Sequence, residues 1–191
     1  MYKIREIIIF AAPFNCLSVK HSREYVLPIG GLSLGNHEFS FLLDADFFGL
    51  FDYSEVSDGK VEVLLKLEKK ENMIDLHFAI KGFLVVACDR CADDFNEPVE
   101  GESELILKFG ETYEEESDEI IIIPVEQHQF DLSQLLYEYT LLLLPIRRIH
   151  PDNEKGESNC NQEVLNRLNQ MEAPVEDDPR WEALKNLKSD N

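Results

Sequence analysis

The chain has 191 residues, an apolar share of 44% and a formal net charge of −20. This length holds one sizeable core with a short appended segment, and the apolar share excludes wholesale disorder. Because nucleic acids are bound chiefly by cationic side chains, the charge excludes broad electrostatic binding of RNA, leaves at most a local contact, and favours a basic protein partner.

The N-terminal apolar run, Ile7–Ala12, is interrupted by Pro13 and is too short for a signal peptide. The longest later run, Leu141–Ile146, falls far short of the roughly 20 residues that span a membrane. We therefore expect a cytoplasmic protein without membrane contact, in which the four cysteines stay reduced.

Period-two alternation of apolar and polar residues predicts strands with one buried face. The polar turn at residues 69–72 separates two such runs and predicts a long antiparallel hairpin, whereas Gly82 interrupts the pattern as a bulge would. Residues 46–51 are aromatic and do not alternate, which predicts a short helical turn with its rings in the core. The alternating runs are residues 39–43, 61–67, 74–80 and 99–109.

Residues 110–119 contain six acidic side chains and no basic one. A block of like charge repels itself and stays solvated, so we expect a mobile loop. The alternative is that this segment clasps a basic partner.

The strongest helical pattern runs from Asp131 to Leu144. Asp131 is a suitable N-cap, Gln134 occupies the return position of a capping box, and Pro145 ends the helix. One apolar stripe is predicted along it, made of Leu132, Leu135, Leu136, Tyr139, Leu142 and Leu143.

Beyond Pro145 the chain becomes polar, with one further helix predicted at residues 161–171 and a short last helix after Asp178 that bears Trp181. Together the elements predict an α+β protein with a mainly antiparallel β meander or partly closed barrel. We expect a first domain in residues 1–146, closed by the 131–144 helix, and a polar linker with short helices in residues 147–191.

Cys88 and Cys91 stand three positions apart on a predicted turn, where two thiolates can reach one tetrahedral metal ion. His150 and Cys160 are candidates for the other two ligands, which would make a zinc site and tie the C-terminal segment to the sheet. The alternative is that both turn cysteines are reduced thiols and that His150 is a surface histidine.

A redox role of the cysteine pair is disfavoured, because a thioredoxin-like pair opens a helix and this one precedes another strand. No glycine-rich phosphate loop, nucleophile elbow or zinc-protease helix is present, so no catalytic or cofactor-binding residue is assigned. Arg90, Arg147 and Arg148 would suit a local phosphate contact, although pairing with the many carboxylates is favoured.

The Cys88–Cys91 turn, its continuation from Phe95 to Gly101, and the helix end at Leu143–Ile146 resemble the YceD-like family, over roughly residues 23–160. The resemblance implies a mainly β domain with a helical C-terminal part, a link to accumulation of large-subunit ribosomal RNA, and no catalytic residues. Many members of that family carry several cysteines after the Leu-Pro element, whereas this chain has His150 and Cys160 there.

We therefore predict a non-catalytic ribosome-assembly factor that binds a ribosomal precursor or a basic large-subunit ribosomal protein. Two other functions are not excluded by the sequence. One is a zinc-dependent or redox enzyme centred on Cys88 and Cys91, and the other is an acidic chaperone whose 110–119 segment shields a basic client. A charge that only keeps the protein soluble is the plainest alternative.

Overall fold

The computed structural model describes residues 23–153 and 155–171, so the predicted helix with Trp181 lies outside the described residues. The chain divides into two compact units. Met1–Val85 and Asn96–Pro145 make up the first, here called the sheet unit, and Val86–Phe95 and Ile146–Asn191 make up the second, here called the cysteine unit. The predicted domains 1–146 and 147–191 remain a prediction.

The described residues form eight strands and three helices, together with two short 3₁₀ turns at Arg23–Tyr25 and Ile29–Gly31. The strands are β1 (Val26–Leu27), β2 (Gly35–Leu43), β3 (Gly59–Lys69), β4 (Met73–Ala87), β5 (Asp94–Gly110), β6 (Glu114–Ser117), β7 (Ile120–Pro124) and β8 (Phe130–Asp131). The helices are α1 (Ala45–Phe48), α2 (Ser133–Leu142) and α3 (Gln162–Met171).

Six strands form one sheet in the order β2-β3-β4-β5-β7-β6, and β1 pairs with β8 in a separate two-stranded ladder. Pairing is antiparallel between β2 and β3, between β3 and β4, and between β6 and β7, whereas β5 and β7 run parallel. The predicted α+β class is confirmed. The described sheet is open, with β2 and β6 at its edges, so the predicted alternative of a partly closed barrel is not found.

The β3–β4 hairpin was predictable because its residues alternate strictly between the core and solvent. Val61, Val63, Leu65 and Leu67 are at most 2% exposed and face the core, while the residues between them are exposed. The predicted interruption at Gly82 is wrong for this pair, since the register continues through Val61 opposite Gly82 without a shift. Gly82 is needed for another reason, namely the close approach of the β3 backbone.

The aromatic segment after β2 forms α1, as predicted. Asp44 caps it, its carboxylate accepting hydrogen bonds from the backbone N–H groups of Asp46 and Phe47. Phe47 and Phe48 are buried, and Phe51 stacks on Tyr137 of α2 with ring centroids 4.2 Å apart. The aromatic rings of this segment are thus packed in the core of the sheet unit.

The predicted loop at residues 110–119 is wrong for Glu114–Ser117, which form edge strand β6. Backbone pairing with the apolar strand β7 outweighs the charge repulsion, since the carboxylates project into solvent and Glu116 pairs with Lys108 at 2.7 Å. A charged edge strand also discourages pairing with other chains.

The predicted apolar stripe of α2 is wrong in part. The helix buries Ser133, Leu136, Tyr137 and Thr140, whereas Leu142 is 78% exposed. The stacking of Tyr137 on Phe51 fixes which side of α2 faces the core, and a contact between residues so far apart in sequence is not contained in helical periodicity.

We predict that Gly82→Ala lowers the free energy of unfolding by about 2 kcal/mol. A methyl group there would collide with the Lys60 carbonyl oxygen and lie 2.6 Å from the Val61 Cα, both in the β3 backbone. Gly31→Ala is the matched control, because nothing lies within 4 Å of its added methyl group. Guanidinium unfolding monitored by circular dichroism measures both, and equal stability of the two variants would contradict the close approach.

Candidate metal centre

The turn between β4 and β5 places Cys88 and Cys91 side by side. The Ala92 N–H donates to the Cys88 carbonyl oxygen at 2.9 Å, and the Cys88 N–H donates to the Asp93 carbonyl oxygen at 3.0 Å. Within this hydrogen-bonded turn the Arg90 N–H donates to the Cys88 sulfur, 3.4 Å away. The backbone therefore wraps around the sulfur of Cys88 and leaves both thiols on the same side.

Closing the turn this tightly forces Ala92 into the left-handed region, with a φ of 62°. That conformation costs an L-residue roughly 1 kcal/mol or more, which the paired backbone groups of the turn offset. Among the described residues Ala92 is the only non-glycine with positive φ.

His150 reaches the turn because the chain just before it is anchored to Asp89. The Asp89 N–H donates to the Arg148 carbonyl oxygen at 2.7 Å, and the Arg148 N–H donates to the Asp89 carboxylate at 2.6 Å. The His150 ring then packs on Phe95 with centroids 4.7 Å apart. One backbone–backbone hydrogen bond and one backbone–carboxylate hydrogen bond thus hold the chain before His150, and the ring contact with Phe95 positions the imidazole.

Cys160 is positioned by the start of α3. The Asn161 side chain accepts a hydrogen bond from the Glu163 N–H at 3.0 Å, which caps the helix, and its amide donates to the Asp93 carboxylate at 3.1 Å. The Ser158 hydroxyl accepts from the Cys160 N–H at 3.2 Å. The helix cap therefore holds Cys160 against the Cys88–Asp93 turn.

The four predicted ligand residues, Cys88, Cys91, His150 and Cys160, come together: their ligand atoms all lie within 4.8 Å of one another. The Cys88 and Cys160 sulfurs are 3.8 Å apart, and the Cys91 sulfur is 3.5 Å from the His150 Nδ1. No disulfide joins Cys88, Cys91 and Cys160, and a bonded sulfur pair would be about 2 Å apart.

These separations can be compared with a tetrahedral zinc site. Zinc binds thiolate sulfur at about 2.3 Å and imidazole nitrogen at about 2.0 Å, so tetrahedral angles separate two sulfurs by about 3.8 Å and a sulfur from a nitrogen by about 3.5 Å. The Cys88–Cys160 and Cys91–His150 pairs have these spacings. The three thiols and one imidazole also suit zinc chemically, and the residues present fit the ion.

The surroundings of Cys88 favour its thiolate form. Burial raises the pKa of the Cys88 thiol, but hydrogen bonds from the backbone N–H groups of Cys91, Arg90 and His150 outweigh it and lower the pKa to about 6. For Cys160 the Ser158 hydroxyl lowers the pKa, and burial with the nearby Cys88 outweighs it, so the pKa is raised. A divalent cation among these ligands would favour deprotonation of every thiol.

The sequence did not identify the residues that hold the ligands in place. Asp89, Phe95 and Asn161 each make a contact described above, and only Asn161, a helix-capping residue type next to Cys160, carried a recognisable local signal. Arg148 lies 3.9 Å from the Asp89 carboxylate, which is the kind of pairing favoured for the three arginines. Arg90 contacts the Ser158 hydroxyl at 3.5 Å, so the pairing of Arg90 and Arg147 with carboxylates stays a prediction.

Residues 76–188, more than half of the chain, match the sequence model of the family described as large ribosomal RNA subunit accumulation protein YceD. The matched span includes all four candidate ligands. No curated protein and no solved structure matches the chain. None of the helices in the described ranges, 23–153 and 155–171, has the length and apolar character needed to cross a bilayer.

We predict that Ala92→Gly stabilises the protein by about 0.5 kcal/mol, because relief of the left-handed conformation exceeds the entropy that glycine loses on folding. Ala92→Val should destabilise it by about 1 kcal/mol or more, since a β-branched residue tolerates this conformation poorly. Differential scanning calorimetry of both variants checks the order. A valine variant as stable as the glycine variant would show that the turn has a different backbone.

Proposed function

The chain belongs to the YceD family of large ribosomal RNA subunit accumulation proteins, and on this premise we propose that it acts in assembly of the large ribosomal subunit by binding, with a structural zinc ion in the cysteine unit. The family is named for a role in accumulation of large-subunit ribosomal RNA and is not a known enzyme family. The observation that carries the proposal is the convergence of four protein ligands on one point.

Four protein ligands favour a structural role for the metal. A catalytic zinc ion keeps a coordination position open for water or substrate, whereas a structural ion is enclosed by four side chains. Cys88, Cys91, His150 and Cys160 supply the complete set. The cysteines are also at most 5% exposed, which leaves little access for a substrate.

The cysteine unit needs such an ion for stability. Within its described residues only five are buried, namely Val86, Cys88, Cys91, Phe95 and Cys160, and three of these are the thiol ligands. Helix α3 buries none of its residues. A unit with so small an apolar core depends on a crosslink or a metal, and metal binding then contributes directly to folding.

The sheet unit supplies the charge that would recognise a partner. Residues 23–85 and 96–145 carry 24 acidic and 7 basic side chains. Such a surface repels the phosphates of RNA and attracts basic proteins, which are oriented and accelerated by complementary charge. We infer a basic large-subunit ribosomal protein, or a precursor particle that displays one, as the partner.

One observation favours a redox function instead, namely the lowered pKa of the Cys88 thiol, about 6. Reactive thiols of this kind are accessible to their substrates, whereas Cys88 is 3% exposed and also lies beside two other thiols and an imidazole. A role of Cys88 as a metal ligand is equally consistent with the lowered pKa, because zinc binds the thiolate form that these hydrogen bonds stabilise.

The zinc proposal predicts about one equivalent of zinc in tag-free protein analysed by elemental mass spectrometry. Cys91→Ser should reduce the content to less than a tenth, since removal of a thiolate leaves only three ligands. His77→Asn is the control, because this described histidine lies 3.2 Å from the Glu104 carboxylate and is not among the four converging residues. Less than a tenth of an equivalent in the wild-type protein would rule out the resident ion.

Hydrogen exchange separates a structural ion from an adventitious one. After chelation, amides of residues 86–95 and 155–171 should lose protection, while those of β3 and the 74–80 part of β4 keep it, because the sheet unit has its own large core. Unchanged protection of the cysteine unit would show that any zinc found is dispensable for its fold.

The binding proposal predicts that the tagged full-length chain recovers basic large-subunit ribosomal proteins or large-subunit precursor particles from cell extract at about 150 mM salt. Recovery should fall steeply by about 500 mM salt, because exposed charges are screened. Recovery of neither ribosomal proteins nor precursor RNA would contradict the proposed function. Recovery of only non-ribosomal basic clients would favour the acidic chaperone instead.

A further inference from the structure

A groove lies within the sheet unit between α2 and the strands β6 and β7. It has a volume of about 740 Å³. The groove is lined by side chains that include Tyr113, Glu115, Asp118, Glu138, Tyr139 and Leu142. We call it the α2–β6 groove. Its dimensions suit several residues of an extended chain or one small molecule.

The lining contains four acidic side chains, those of Glu115, Asp118, Asp131 and Glu138. Glu115 and Asp118 come from β6 and the turn after it, and Glu138 faces them from α2. No lysine, arginine or histidine is found among the lining residues of the described chain. The carboxylates affect their neighbours: burial and then Glu115 raise the pKa of Tyr113 to about 12, and burial, Glu138 and Glu119 raise that of Tyr139.

The groove also presents apolar and aromatic surface to solvent. Tyr113, just before β6, is 55% exposed, and Leu142, at the end of α2, is 78% exposed. Tyr139 packs its ring against Phe78, with centroids 5.3 Å apart, and its buried hydroxyl has no hydrogen-bond partner within the described residues. Aromatic faces and leucine side chains accommodate the methylene stems of lysine and arginine, and carboxylates accept their charged ends.

We propose that the α2–β6 groove binds a lysine- and arginine-rich segment of polypeptide. The inference rests on the proposed function and deepens it, because it assigns the basic partner to one surface of the sheet unit. Charge complementarity selects the occupant, since nucleic acid would bring phosphates against Glu115, Asp118 and Glu138.

A second acidic cavity is a weaker candidate. It lies beside Tyr25, has a volume of about 460 Å³, and is lined in part by Asp44 and Asp46. The Asp44 carboxylate already caps α1, and the Tyr25 hydroxyl already donates to the Leu42 carbonyl oxygen. These polar groups therefore already have partners within the fold. In the α2–β6 groove Glu115 accepts a hydrogen bond from the Tyr113 hydroxyl and Glu138 accepts one from the Gln134 amide, but the buried Tyr139 hydroxyl has no partner within the described residues.

The test compares two triple variants that remove the same charge. E115Q/D118N/E138Q neutralises the groove, and E38Q/E62Q/E102Q neutralises three exposed carboxylates on strands that do not line it. The probe is a fluorescein-labelled peptide of about 12 residues that alternates lysine or arginine with glycine, read by anisotropy at about 50 mM salt. Circular dichroism and thermal unfolding verify that both variants fold.

We expect the groove variant to bind the peptide about tenfold more weakly and the control variant to change affinity by less than about twofold. A peptide in which glutamine replaces the basic residues should not bind. Equal weakening by both variants would mean that total charge rather than the groove attracts the peptide, and no weakening by either would also overturn the proposal.

Extract pull-down with the same variants separates this proposal from the proposed function. If the wild-type chain and the groove variant recover large-subunit components equally, the groove assignment is wrong and the proposed function stands. If the wild-type chain recovers none, the proposed function fails, while peptide binding still decides the groove. A photo-crosslinker at position 142 should capture the basic peptide, and capture of RNA or of the chain's own residues 1–22 instead would contradict the proposal.

Discussion

Three thiols and one imidazole from two separate stretches of chain must lie within 4.8 Å of one another, and the cysteine unit is organised around this requirement. Residues 88–93 curl tightly enough to force Ala92 to positive φ, Asp89 holds the backbone before His150, and the cap of α3 fixes Cys160. Several polar contacts therefore serve one small ligand set. Since few other side chains are buried among the described residues of this unit, a metal ion held by these four ligands would supply the stability that an apolar core supplies elsewhere.

The two units differ in what is buried inside them and in the charge that they carry. The sheet unit has a continuous apolar face on β3 and β4, buried aromatic rings from α1, and most of the negative charge. Among the described residues of the cysteine unit few side chains are buried, and three of those are candidate metal ligands. Within the described residues the four candidate ligands form a complete tetrahedral set, which is the arrangement typical of structural zinc ions.

Local patterns in the sequence predicted the hairpin of β3 and β4, the helical turn with Phe47 and Phe48, and the bounds of α3 to within a residue or so. They also predicted the four residues that converge, because a Cys-x-x-Cys turn is local and few partners were available. They failed where contacts between residues distant in the sequence determine the local structure. Pairing with β7 converts the acidic segment at Glu114–Ser117 into a strand, and Phe51 sets the buried face of α2. The α2–β6 groove is lined by residues of α2 and of the edge strand β6, which are distant in sequence, so local patterns could not predict it.

We propose that a zinc ion is bound by Cys88, Cys91, His150 and Cys160. X-ray absorption at the zinc edge, recorded on full-length protein purified without a metal-binding tag, reports the identity and distance of the coordinating atoms. Three sulfur atoms at about 2.3 Å and one nitrogen at about 2.0 Å are expected. A shell of oxygen and nitrogen atoms without sulfur would contradict the claim, as would the absence of a zinc signal from protein handled under reducing conditions.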